Sequence, residues 1–213
     1  MTVSTWAWAF TIEMEMKFAK PFSSPPSRQR RQSLQALGAL AMGMTSLMAE
    51  SVFAAVFMDM EQAQKVLCPS ADGFELIPLS WDDNQLATLA KLSDTRVPRH
   101  FSPKCWRAMA GGRAVGWVLS DRVVGKYDLI DYAAGFDAQG VAVGIEILAY
   151  RESHGAEIRQ TGWRKQFVGK KGPAAMRFPD DIRNISGATL SCQHVTEGMQ
   201  RLSAVVSLLT ASK

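Results

Sequence analysis

Ile185-Ser186-Gly187-Ala188-Thr189-Leu190-Ser191 is the stretch of this 213-residue chain whose residue types could do chemistry. It sets three hydroxyls among small and apolar side chains. Downstream, Val195, Met199, Leu202, Val206 and Leu209 recur at three- and four-residue steps, the stripe of one helix that runs to the C-terminus. The small-residue loop therefore feeds a helix N-terminus. Unpaired backbone N–H groups and a partial positive charge at that end suit a phosphate. Gly187 and Ala188 allow a ligand close to the backbone. A plain loop with a hydroxyl N-cap has the same spacing, so spacing alone leaves both readings open.

The elements that must position this stretch are legible upstream. Asp59 to Leu67 and Asp82 to Leu92 read as short amphipathic helices, the second with Leu86, Leu89, Ala90 and Leu92 facing inward. Between 104 and 150 the period shortens. Ala114 to Leu119, Val123 to Tyr127, Leu129 to Phe136 and Val141 to Tyr150 are strand-like, and Asp137-Ala138-Gln139-Gly140 is a tight hairpin turn. Alternation along the last strand predicts Val143, Ile145, Ile147 and Ala149 on one face, with Gly144, Glu146 and Leu148 on the other. The expected class is α+β: a small antiparallel meander flanked by helices, closed by a long C-terminal helix. Polar residues Arg151 to Glu157 follow the last strand at once, where loops on a rigid scaffold commonly carry sites.

Composition narrows the function. Hydrophobic residues make up 47% of the chain, enough for one cored domain, and the net charge of +4 is modest. Much of the early charge is basic (Lys17, Lys20, Arg28, Arg30, Arg31), which fits an export signal better than a nucleic-acid surface. Residues 1–27 read as an N-terminal extension without a fold. Residues 28–54 read as a signal peptide or membrane anchor: a basic Arg28-Gln29-Arg30-Arg31, then a short apolar run, with cleavage expected after Ala49 or Ala54. Residues 58–213 form the expected domain. Cys68, Cys105 and Cys192 include no Cys-x-x-Cys, which argues against a zinc ribbon or covalent c-type haem, and no metal site is expected. A Cys68–Cys105 disulfide is one pairing that an oxidising compartment would allow.

Ser186-Gly187-Ala188-Thr189 resembles the flavinylation motif of the FMN-binding domain family, which includes the C subunit of sodium-translocating NADH:quinone oxidoreductase and the G subunit of the Rnf complex. In that family the last threonine carries FMN through a phosphoester, attached by a separate flavin transferase from FAD. The matching residue is Thr189, with Ser191 as the fallback acceptor. Glu152, Ser153 and Gly155 resemble the Glu, Thr and final Gly of a family loop beside the flavin ring, with His154 in place of proline. Trp163 to Lys170 is similar to the family's Trp…Gln-Phe-x-Gly-Lys segment. Many relatives have Asp three positions before the motif's Ser; Arg183 stands there, with Asp180 and Asp181 nearby.

The resemblance implies FMN as cofactor, joined covalently to Thr189. Ser186, Gly187, Ala188, Leu190 and Ser191 would border the phosphate. Glu152, Ser153, His154, Gly155 and Trp163 would border the rest of the flavin, with His194 as a further ligand. A neutral His194 ring would donate to a flavin carbonyl, and a protonated one would neutralise reduced flavin or phosphate. No residue is assigned a catalytic role of its own. The expected protein is an electron carrier on the periplasmic side of the inner membrane rather than a stand-alone enzyme. Its expected partners are the flavin transferase and haem or iron–sulfur redox proteins, without nucleic acid, and its N-terminal segment offers a membrane contact. The alternative is a non-covalent FMN-binding sensory or assembly module.

Overall fold

The computed structural model describes residues 55–151 and 155–211. The extension at 1–27 and the proposed leader at 28–54 lie outside the described residues. In chain order the elements are β1 (Ala55–Val56), α1 (Met60–Leu67), β2 (Gly73–Ile77), α2 (Asp83–Ser93), β3 (Lys104–Ala110), β4 (Arg113–Val124), β5 (Leu129–Asp137), β6 (Ala142–Tyr150), α3 (Thr161–Arg164) and α4 (Thr189–Ala211). Short 3-10 turns lie between β6 and α4. The strands form one antiparallel sheet in the order β1-β6-β5-β4-β3-β2. The class is α+β, with β2 to β6 as a meander and β1 returning beside β6.

Local chemistry fixes the ends of these elements. Asp59 and Asp82 each cap a helix by accepting the N–H three residues on, and Gln62 and Gln85 reach back to the cap N–H. In the β5–β6 turn, Asp137 Oδ1 accepts from the N–H groups of Gln139 and Val141, both at 2.9 Å. Gly140 takes φ +80 there, which a side chain would resist.

Neighbouring positions on β4 divide between two cores, so the sheet is covered on both faces. Trp117 and Leu119 pack with α2 and α4; Val118 packs with α1. The α4 face is the larger. Val195, Met199, Leu202 and Val206 are fully buried against it, each worth about 1.5–3 kcal/mol of burial. Gly198 brings α4 close to the sheet: a Cβ there would stand 2.2 Å from the Tyr132 hydroxyl. That buried hydroxyl donates to Asp121 Oδ2 at 3.2 Å.

Several expectations are corrected. β4 ends at Val124, and Gly125–Asp128 is a turn closed by Gly125 N–H to Asp128 O at 2.7 Å; Tyr127 is therefore exposed. Leu92 is exposed, because the inward stripe of α2 runs through Leu86, Leu89 and Ser93 and Leu92 falls beside it. Val143 leaves the face of Ile145 and Ile147 and joins Leu67 beside Gly135. The cause is a register shift between Gly135 and Phe136, which interrupts the two-residue period. Strands β2 and β3 were not anticipated. All three cysteines are free. Cys105 packs in the α4-side core and Cys68 in the α1-side core, so the sheet separates them. Burial raises all three thiols, Cys105 to about 12, which makes them poor nucleophiles. Among the described residues, no helix is long and apolar enough to cross a membrane.

Candidate functional site

The chain enters α4 through a tight turn. Ala188 N–H donates to Ile185 O at 3.0 Å, and Gly187 takes φ +87, the positive value that a type II turn requires at its third residue. Ala188 O then accepts the Cys192 N–H at 2.9 Å, the first bond of the helix. The residue at the cap is thus alanine, which has no side-chain oxygen to offer. The N–H groups of Thr189, Leu190 and Ser191 precede any partner inside the helix. A 23-residue helix consequently ends in donors that an anion could satisfy.

The three hydroxyls of the motif have different surroundings. Ser186 and Thr189 are exposed. Thr189 Oγ1 accepts from Asn184 Nδ2 at 2.9 Å, which orients the hydroxyl and keeps it at the surface. Ser191 is 3% exposed, and its Oγ lies 3.2 Å from the Tyr150 hydroxyl. It faces the protein rather than a ligand at the turn. Leu190 is exposed beside Thr189.

Gly155 joins the loop after β6 to the same turn. Its φ is +91, and a Cβ there would meet Tyr150 Oη at 2.4 Å, Ser191 Oγ at 3.3 Å and the Ala188 methyl at 3.6 Å. The structure thus brings Gly155, Ala188 and Ser191 together. Glu152, Ser153 and His154 lie outside the described residues.

Trp163 lies in the core beside the entry to the motif. It is buried, and its ring packs edge-on against Phe167, with centroids 5.2 Å apart. Its indole N–H donates to Arg183 O at 2.9 Å, while Gln166 Oε1 accepts the Arg183 N–H at 2.8 Å. These two residues clamp the backbone two positions ahead of Ile185. Gln166 is a positioning residue that composition alone did not single out; its place between Trp163 and Phe167 was the available signal. Asp181 is engaged locally: its Oδ2 accepts from the backbone N–H and Nε of Arg177, which holds its carboxyl below the usual range.

His194 sits farther along α4. Its Nδ1 lies 2.6 Å from Val124 O and 3.2 Å from Gly125 O. Carbonyl oxygens only accept, so Nδ1 carries a proton. A neutral ring then has Nε2 as an acceptor, and Nε2 donates only in the imidazolium. The expected donation from neutral His194 is corrected accordingly.

Residues 125–204 match the FMN-binding domain family. The chain carries an FMN-binding domain. The match runs from the turn after β4 through the Trp163–Gln166 clamp and well into α4, so it includes the turn at Ser186–Thr189. No curated protein sequence matches the chain. FMN is the ligand of this domain, and the open N–H groups, the side-chain-free Gly187 and the exposed Thr189 hydroxyl fit its phosphate.

Proposed function

We propose that the FMN-binding domain holds its flavin covalently, through a phosphoester on Thr189, and serves as an electron carrier in an envelope redox chain. The observation that carries this reading is the solvent-facing Thr189 hydroxyl, oriented by Asn184 at the uncapped start of α4. Attachment from FAD forms a bond between Thr189 Oγ1 and the FMN phosphorus. The pyrophosphate bond breaks, AMP leaves, and the hydroxyl proton goes to solvent. A separate transferase is the expected catalyst, as in the family that the motif resembles.

Once bound, FMN supplies one- or two-electron chemistry, and the protein supplies position and electrostatics. Ser186, Gly187 and the N–H groups of Thr189, Leu190 and Ser191 would hold the phosphate. A tether removes the need for tight equilibrium binding where free FMN is scarce. Residence at the outer face of the inner membrane is part of the proposal, supported by the basic-then-apolar pattern from Arg28 to Ala49. Haem or iron–sulfur proteins are its proposed redox partners.

The test is flavin fluorescence in a denaturing gel, on protein made with a flavin transferase. A fluorescent band that disappears in Thr189→Ala is expected. Flavin released on denaturation would replace this reading with a non-covalent FMN module, and a colourless protein would overturn both.

A further inference from the structure

A second polar feature lies farther along α4. A cavity of about 1300 Å³ opens where α4 passes the ends of β4 and β5. Glu197 and Arg201 line it from the helix, and Asp121 from β4. Twelve residues separate Arg201 from Thr189, or ~18 Å at ~1.5 Å per residue.

Arg201 is 7% exposed. Its Nη1 donates to Arg96 O at 3.3 Å, but its enclosed Nε has no acceptor among the described residues. Three carboxylates share its cavity, and none forms an ion pair with it; Asp131 pairs with Arg122 and Arg151 instead. Glu197, four residues earlier on the helix, accepts from Gln193 Nε2 at 2.9 Å. Asp121 accepts the Tyr132 hydroxyl. A buried guanidinium N–H without an acceptor is costly even with the Asp121 charge nearby, and an anion with acceptor oxygens removes that cost. The surroundings favour that sign of charge: Arg96, Arg99 and Lys104 line the same cavity, exposed, with no ion pair among the described residues. Phe101 and Val123 supply apolar wall.

We propose that this cavity is an oxyanion site, in which Arg201 receives the carboxylate or phosphate of a small molecule and Arg96, Arg99 and Lys104 attract it. The site is distinct from the phosphate anchor at Thr189 and does not depend on covalent flavin there.

Calorimetric titration of the full chain with inorganic phosphate, and separately with succinate, tests the assignment. Saturable 1:1 binding of one of them is expected, and which one binds distinguishes the phosphate class from the carboxylate class. Arg201→Gln should weaken it about tenfold or more, the scale of a lost charge-assisted hydrogen bond. Arg99→Gln, at an exposed position, should weaken it severalfold with the fold intact, so the test survives if Arg201→Gln does not fold. Thr189→Ala should leave it unchanged. Failure of both probes to bind overturns the proposal, as does binding that is lost in Thr189→Ala and kept in Arg99→Gln.

Discussion

The outer and inner flanks of the first turn of α4 differ sharply. On the outer flank, Thr189 meets solvent and a single amide donor from Asn184. Two residues on, Ser191 is enclosed by Tyr150, with Gly155 alongside. Both side chains are hydroxyls with similar intrinsic chemistry. Access separates them, and access is set by which side of the helix faces the sheet. Read as residue types the two are alike, whereas the fold exposes Thr189 and buries Ser191.

The largest expected effect tests that division. Thr189→Ala should lose the covalent flavin, whereas Ser191→Ala should retain essentially all of it, with peptide mass mapping finding the adduct on Thr189. An adduct on Ser191 would break the comparison.

Next in size is Gly155→Ala. A side chain there is forced into a positive φ and onto the Tyr150 hydroxyl. A loss of about 1–3 kcal/mol is expected, measured by denaturant unfolding, and flavin loading should fall with it. A neutral result would mean that the inner flank is loosely packed.

Gln166→Ala comes third. It removes the acceptor for the Arg183 N–H, a backbone group near the surface, so a loss of about 0.5–1.5 kcal/mol is expected. Slower flavinylation at unchanged fold content would separate positioning of the motif from general stability.

The smallest effect is a pH dependence away from either flank. Burial pushes the Asp131 carboxyl up, but hydrogen bonds from Arg122 and Arg151 and their charges outweigh this and hold it below the usual range. A depressed native pKa stabilises the fold above the unfolded value of ~3.9 and loses that contribution as pH falls through the native value. The melting-temperature difference between wild type and Asp131→Asn should therefore shrink between about pH 6 and about pH 3. An unchanged difference would show that Asp131 contributes through packing alone.

The sequence carried much of this architecture, unevenly. The β5–β6 hairpin and the stripe of α4 were legible because Asp137 to Gly140 is turn chemistry and Val195 to Val206 keeps one helical period. β2 and β3 were not. Gly73–Ile77 is a short edge strand, and Lys104–Ala110 mixes charged and apolar residues across a bulge at Ala108 and Met109. The faces of β6 were misread for a related reason, since alternation cannot register a shifted pairing. At the site, Thr189 stood out by its motif. The burial of Ser191 was also recoverable: the apolar stripe extended one turn back from Val195 reaches it. The hold of Trp163 and Gln166 on Arg183 was signalled only by the residue types of their segment, not by spacing. It joins side chains to a backbone 17 and 20 residues away, a distance over which periodicity says nothing.

Gly198 has a consequence for the proposed electron-carrier role. With the Tyr132 hydroxyl occupying the space where any other residue would carry its first carbon, α4 is keyed to the sheet and has little axial play. Whatever is fastened at its leading end inherits that fixity. The distance from a redox group there to a docked protein would then be set by the docking alone.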